Sequence, residues 1–132
     1  MQNCVFCLIT KKESPANIVH EWDDCIAFVP INPVVDGHIL VVPKQHVSDA
    51  LENPAITGAV FIRASELANG QCNLITSVGK DATQSIFHLH IHIVPRKEGD
   101  NLQLPWSNQK RHLTQRAPDG LPRAAKEDDT EK

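Results

Sequence analysis

The sequence predicts a small mixed domain of strands and one main helix, with its chemistry on a single strand. Three stretches predict it. Phe87-His88-Leu89-His90-Ile91-His92-Ile93-Val94 alternates polar and aliphatic residues, the period of a half-buried strand. Residues 25–29 and 38–42 are two more apolar runs, separated by the turn punctuation Asn32-Pro33-Val34-Val35-Asp36-Gly37, and they predict an antiparallel hairpin. Residues 53–68 instead repeat apolar side chains at helical spacing.

The elements follow in order. Residues 4–13 form a short helix or turn that carries Cys4 and Cys7. The strand 38–42 is rich in β-branched residues and is stopped by Pro43. Asn53 is an N-cap and Pro54 the first helical residue. Ile56, Val60, Phe61, Ala64, Leu67 and Ala68 make a stripe that belongs to the core, and Asn69-Gly70 ends the helix. A strand over 72–78 leads through Gly79-Lys80-Asp81-Ala82-Thr83-Gln84 into the histidine strand. Beyond Trp106 the texture turns polar, so the expected division is a domain over 1–106 and a mobile tail over 107–132.

With 132 residues, one domain is the natural count. A net charge of −3 with acids and bases interspersed argues against a nucleic-acid surface. No apolar run reaches the length of a membrane span, and the N-terminal residues lack a basic stretch followed by an apolar one. A cytoplasmic protein is expected, with its four cysteines reduced.

On a regular strand, His88, His90 and His92 would share one face at intervals of roughly 7 Å. One strand histidine is usually solvated or hydrogen-bonded. Three in alternation call for a site that titrates, coordinates or attacks. Imidazole has an ordinary pKa near 6.5 and is largely neutral and nucleophilic at pH 7. A central imidazole flanked by others can attack phosphorus and form a covalent intermediate. The loop from Ser77 to Ser85 offers hydroxyls, a side-chain amide and backbone N–H groups for phosphate oxygens. Alternatively, two of the histidines could share a catalytic zinc ion.

Gln84-Ser85-Ile86-Phe87-His88-Leu89-His90-Ile91-His92-Ile93-Val94 resembles the signature of the histidine triad (HIT) family, His-φ-His-φ-His-φ-φ with φ apolar. Gly37-His38-Ile39-Leu40-Val41-Val42-Pro43-Lys44-Gln45-His46 resembles that family's other recurrent segment. The resemblance implies a HIT-like α+β fold, with about five antiparallel strands, one main helix and a short N-terminal helix, assembling as a homodimer. It implies hydrolysis or transfer of a nucleotidyl group, cleaving a phosphoramidate or dinucleotide-type linkage. His90 would be the nucleophile, His92 would contact the phosphate and the scissile linkage, and His38 would orient the catalytic imidazole. Ser85, Gln84, Thr83 and Ser77 would hold phosphate oxygens. It further implies a structural zinc on Cys4, Cys7, His46 and His88, with no metal at the reacting phosphorus. One departure concerns the substrate. Pro30 stands where many relatives place an Asp or Asn on the ribose, and Ser77 where they have Asn. Two competing readings stay open: a non-catalytic nucleotide-binding adaptor, and a zinc enzyme with an open metal site on the triad.

Overall fold

The computed structural model describes residues 4–107. The chain divides into two units, Met1–Asp100 and Asn101–Lys132. Of the second, only 101–107 are described, ending in a turn where Ser107 N–H donates to the Leu104 carbonyl. Of the expected tail over 107–132, residues 108–132 lie outside the described residues.

The first unit is an α+β fold with one five-stranded antiparallel sheet. Its elements are α1 (Val5–Thr10), β1 (Asn17–Glu21), β2 (Cys25–Val29), β3 (Ile39–Pro43), α2 (Pro54–Leu67), β4 (Cys72–Ile75) and β5 (Ile91–Pro95). The sheet order is β1-β2-β3-β5-β4. No helix among the described residues is long and apolar enough to cross a membrane.

Alternation along the strands sends side chains to two different layers. Cys25, Ala27, Val41, Ile91 and Ile93 face α2 and pack with its Val60 and Ala64. Ile26, Phe28, Leu40 and Val42 face the other way and pack against Phe6 and Ile9 of α1. Leu89, Ile26 and Ile91 have no exposed surface, and each such side chain contributes roughly 1.5–3 kcal/mol by leaving water. Asn53 caps α2 as expected, its side chain accepting from the N–H groups of Ala55 and Ile56.

The expected histidine strand is shorter than its pattern. Only His92 lies within β5, which begins at Ile91. Upstream, the backbone leaves the ladder for other partners: Leu89 N–H donates to the Val47 carbonyl, and Thr76 Oγ1 donates to the His90 carbonyl (2.8 and 2.7 Å). For the same reason β4 ends at Ile75, short of residue 78. Pro43 does not stop β3 before it but closes it, opposite Cys25. A further strand, β1, forms where the sequence pattern marks none.

Candidate active site and metal centre

His38, His90 and His92 meet on the α1 side of the sheet, and their protonation follows from hydrogen bonds. His38 is buried immediately before β3. Its Nδ1 accepts from the Val34 N–H at 3.0 Å, so its proton sits on Nε2. That Nε2 lies 3.0 Å from His92 Nδ1 and donates to it. The neutral His92 therefore carries its own proton on Nε2. His90 is oriented from the backbone, since its Nδ1 lies 2.8 Å from the His88 carbonyl and must donate there. Its Nε2 is left with an unprotonated lone pair, the form a nucleophile needs. The His90 and His92 rings stand 5.1 Å apart.

Burial keeps these imidazoles neutral. It pushes His92 down to about 4, helped by the neighbouring His90 and His38. Burial also lowers His38 and His90, although for His90 the bond to the His88 carbonyl opposes the shift.

His88 does not stand beside its companions on an open face. It has no exposed surface, and its Nε2 donates to the Pro43 carbonyl at 2.9 Å. Its Nδ1 lone pair consequently points to Cys4 Sγ (3.4 Å), Cys7 Sγ (3.5 Å) and His46 Nδ1 (3.0 Å). Cys7 Sγ is also 3.3 Å from His46 Nδ1. Cys4 caps α1 with its sulfur, accepting the Cys7 N–H, which folds the Cys-x-x-Cys turn around one point. All four ligand atoms lie within 4.8 Å of one another, so this group could hold a metal ion. Bond lengths to zinc require tetrahedron edges of roughly 3.3 Å between nitrogens and 3.8 Å between sulfurs. Two thiols and two imidazoles make a donor set that fits. Burial and the adjacent Cys4 thiol push the Cys7 thiol up, a penalty that a dication offsets by taking thiolates. The carbonyl behind His88 is the outer partner that fixes a ligating imidazole. Among the described residues, the geometry sets His90 and His92 apart from this metal-ligand group.

The expected phosphate-binding residues divide. Ser85 is exposed and lines a cavity of about 440 Å³ with Ser48, Cys4, His46 and Phe87. Gln84 is buried and committed to the backbone: its Oε1 accepts from Gly79 N–H, while its Nε2 donates to the Ser48 and Ile86 carbonyls. Both of its N–H groups are spent, so it clamps the loop instead of offering a donor to a ligand. Thr83 is exposed, in a left-handed conformation, and donates its hydroxyl to the Ala82 carbonyl. Ser77 is half-buried just beyond β4.

Two site features were not apparent from the sequence. The edge of Phe6 packs against His90, with ring centroids 5.1 Å apart. Phe6 also lines a second cavity, of about 550 Å³, with Phe28, Pro30, Leu40 and Ile86. Its position between the two cysteines is the one signal the sequence offered. Thr76, which holds the His90 carbonyl, gave none.

Residues 11–99 match the HIT domain. The chain belongs to the HIT family. A HIT relative, adenylylsulfatase HINT3 of Arabidopsis thaliana, is 37% identical over 85% of this chain. The chain covers 61% of that plant protein. An uncharacterised HIT-like protein of Methanocaldococcus jannaschii is 38% identical over 74% of this chain and 81% of its own. Among solved HIT structures, a zinc-bound histidine triad family protein from Mycobacterium smegmatis superimposes with a TM-score of 0.69 at 33% identity. That match covers 77% of this chain and 81% of the mycobacterial one.

Proposed function

We propose that this HIT protein is a nucleotidyl hydrolase or transferase acting through His90, on a nucleoside phosphoramidate or a related phosphoanhydride. The observation that carries the reading is the protonation pattern. The His88 carbonyl fixes the His90 lone pair on Nε2, and His38 fixes an N–H on His92 Nε2. Nucleophile and donor are prepared side by side before substrate arrives.

In the first step His90 Nε2 bonds to the α-phosphorus and the P–N bond breaks, the departing nitrogen gaining a proton from solvent. His92 Nε2–H donates to the phosphoryl group or the bridging atom, and Ser85 Oγ assists at an oxygen. Water then bonds to phosphorus, the Nε2–P bond breaks, and one proton is released. The nucleoside occupies the apolar cavity beside Phe6. Cys4, Cys7, His46 and His88 hold zinc, which ties α1 to the catalytic segment and takes no part in bond breaking. Homodimer formation belongs to the same proposal. β4, at one sheet edge, is half-buried at all four positions, whereas β1 at the other edge is exposed throughout. The reaction is placed in the cytoplasm, where thiol ligands stay reduced.

Rapid quenching during turnover of adenosine 5′-phosphoramidate should trap a nucleotidyl group on the peptide containing His90, identified by mass spectrometry. Turnover with unmodified protein at every quench time would reject the covalent path. The pH profile is a second test. His90 must stay neutral to keep the lone pair on its Nε2. Because burial lowers its pKa, kcat/KM should stay level as pH falls through 6.5 and decline only below that. An acid limb centred at 6.5 or above would mean that His90 titrates as a solvated group.

A further inference from the structure

The cavity beside His90 is distinctive for what its wall lacks. Among the described residues lining it, only Ser14 and Asn17 carry polar side chains, and none is charged. Both come from the chain between α1 and the first residue of β1. Pro15, Pro30 and Pro33 also line it, and proline has no backbone N–H to offer a ligand. Where the chain leaves β2, the lining run Val29-Pro30-Ile31 presents three side chains without a hydrogen-bonding atom. The volume of about 550 Å³ is within the range that holds a small molecule.

The cavity is tied to the chemistry through the sheet. Phe28 pairs with Leu40 and Leu40 with His92 across neighbouring strands, so the three side chains share a face. Phe6 closes the gap from above, touching both Phe28 and His90. A group bonded to phosphorus at His90 would therefore stand one side chain, Phe6, away from this apolar trough.

Resting on the nucleotidyl-transfer reading, we propose that the site does not read the sugar hydroxyls. It accepts ribo-, 2′-deoxyribo- and 2′,3′-dideoxyribonucleotidyl groups with similar efficiency, and Pro30 is the residue that sets this tolerance. A site that hydrogen-bonds a substrate hydroxyl rejects the analogue lacking it by about 10⁴–10⁵-fold, whereas an apolar wall discriminates by about 10² at most. Hydroxyls turned toward Pro30 and Ile31 must find solvent or lose hydrogen bonds, so nothing in that wall rewards their presence.

The test compares kcat/KM of the full chain for adenosine 5′-phosphoramidate and its 2′-deoxy and 2′,3′-dideoxy analogues. The three values should agree within about threefold for the wild type, well under what a single read hydroxyl produces. Pro30→Asp should favour the ribonucleotide by about tenfold or more, because a carboxylate can accept from the sugar hydroxyls. A wild-type preference for ribose above about tenfold overturns the proposal and directs attention to Ser14 and Asn17. A Pro30→Asp variant as indifferent as the wild type overturns the part assigned to Pro30. If no phosphoramidate is turned over, the catalytic reading fails separately, and calorimetric Kd values for AMP, dAMP and 2′,3′-dideoxy-AMP decide. Equal affinities uphold sugar tolerance; preference for AMP, or binding of none, overturns it.

Discussion

His90→Asn is expected to lower kcat/KM for adenosine 5′-phosphoramidate by at least about 10³-fold while changing the Kd for AMP by less than about threefold. The two halves of this expectation rest on different atoms of one ring. Asparagine is close in size to the near half of histidine, and its side-chain N–H can donate to the His88 carbonyl in place of Nδ1–H. The contact with the backbone and the shape of the cavity are thereby retained. What disappears is the Nε2 lone pair, and neither His92 nor His38 can replace it. His92 carries a proton on the corresponding atom, and His38 is occupied between Val34 and His92. Loss of the nucleophile removes a step made only in the transition state, so kcat should fall and KM change little. Turnover within about tenfold of wild type would mean that water attacks phosphorus directly. Absence of turnover in both proteins, with AMP still bound, would favour the non-catalytic reading of the fold.

Local pattern was enough to place much of this molecule. The alternation from His88 to Ile93 marks the candidate site, and the Asn53-Pro54 start places the beginning of α2 to the residue. The quartet Cys4, Cys7, His46 and His88 converges in space as the resemblance implied. Other features depend on partners far away in the chain. The strand pattern ran on through His88 because periodicity does not reveal that Val47 and Thr76 take its backbone. Gln84 looked like a ligand donor because a polar residue beside a site usually faces it. Only the fold brings Gly79, Ser48 and Ile86 within reach of its amide. β1 carries no legible pattern because it is exposed at all five positions and its register slips between Ile18 and His20. With neither face buried, no alternation marks it.

Chelation of the metal, or Cys7→Ser, is expected to lower Tm by about 10 °C or more, because a loss near 3 kcal/mol moves a domain of this size that far. The effect should be large because the quartet adds four metal bonds to the contacts that join three segments: α1, the loop carrying His46, and the segment carrying His88. Cys72→Ser, at a half-buried cysteine outside the quartet, should keep its metal content and serve as the control. Activity should fall together with stability through a single residue. The His88 ring belongs to the quartet, while the His88 carbonyl holds the Nδ1 proton of His90. Releasing the ring frees that carbonyl to move, and His90 can then place its proton on Nε2, which removes the lone pair from the attacking atom. The chelated protein should thus lose kcat at temperatures where it is still folded, and zinc should restore it. Full metal content in Cys7→Ser, or an unchanged Tm with chelator, would reject the quartet as a metal centre. A fall in Tm with kcat intact would keep the metal but reject the coupling, and would leave the bond from His90 to the His88 carbonyl dependent on the backbone alone.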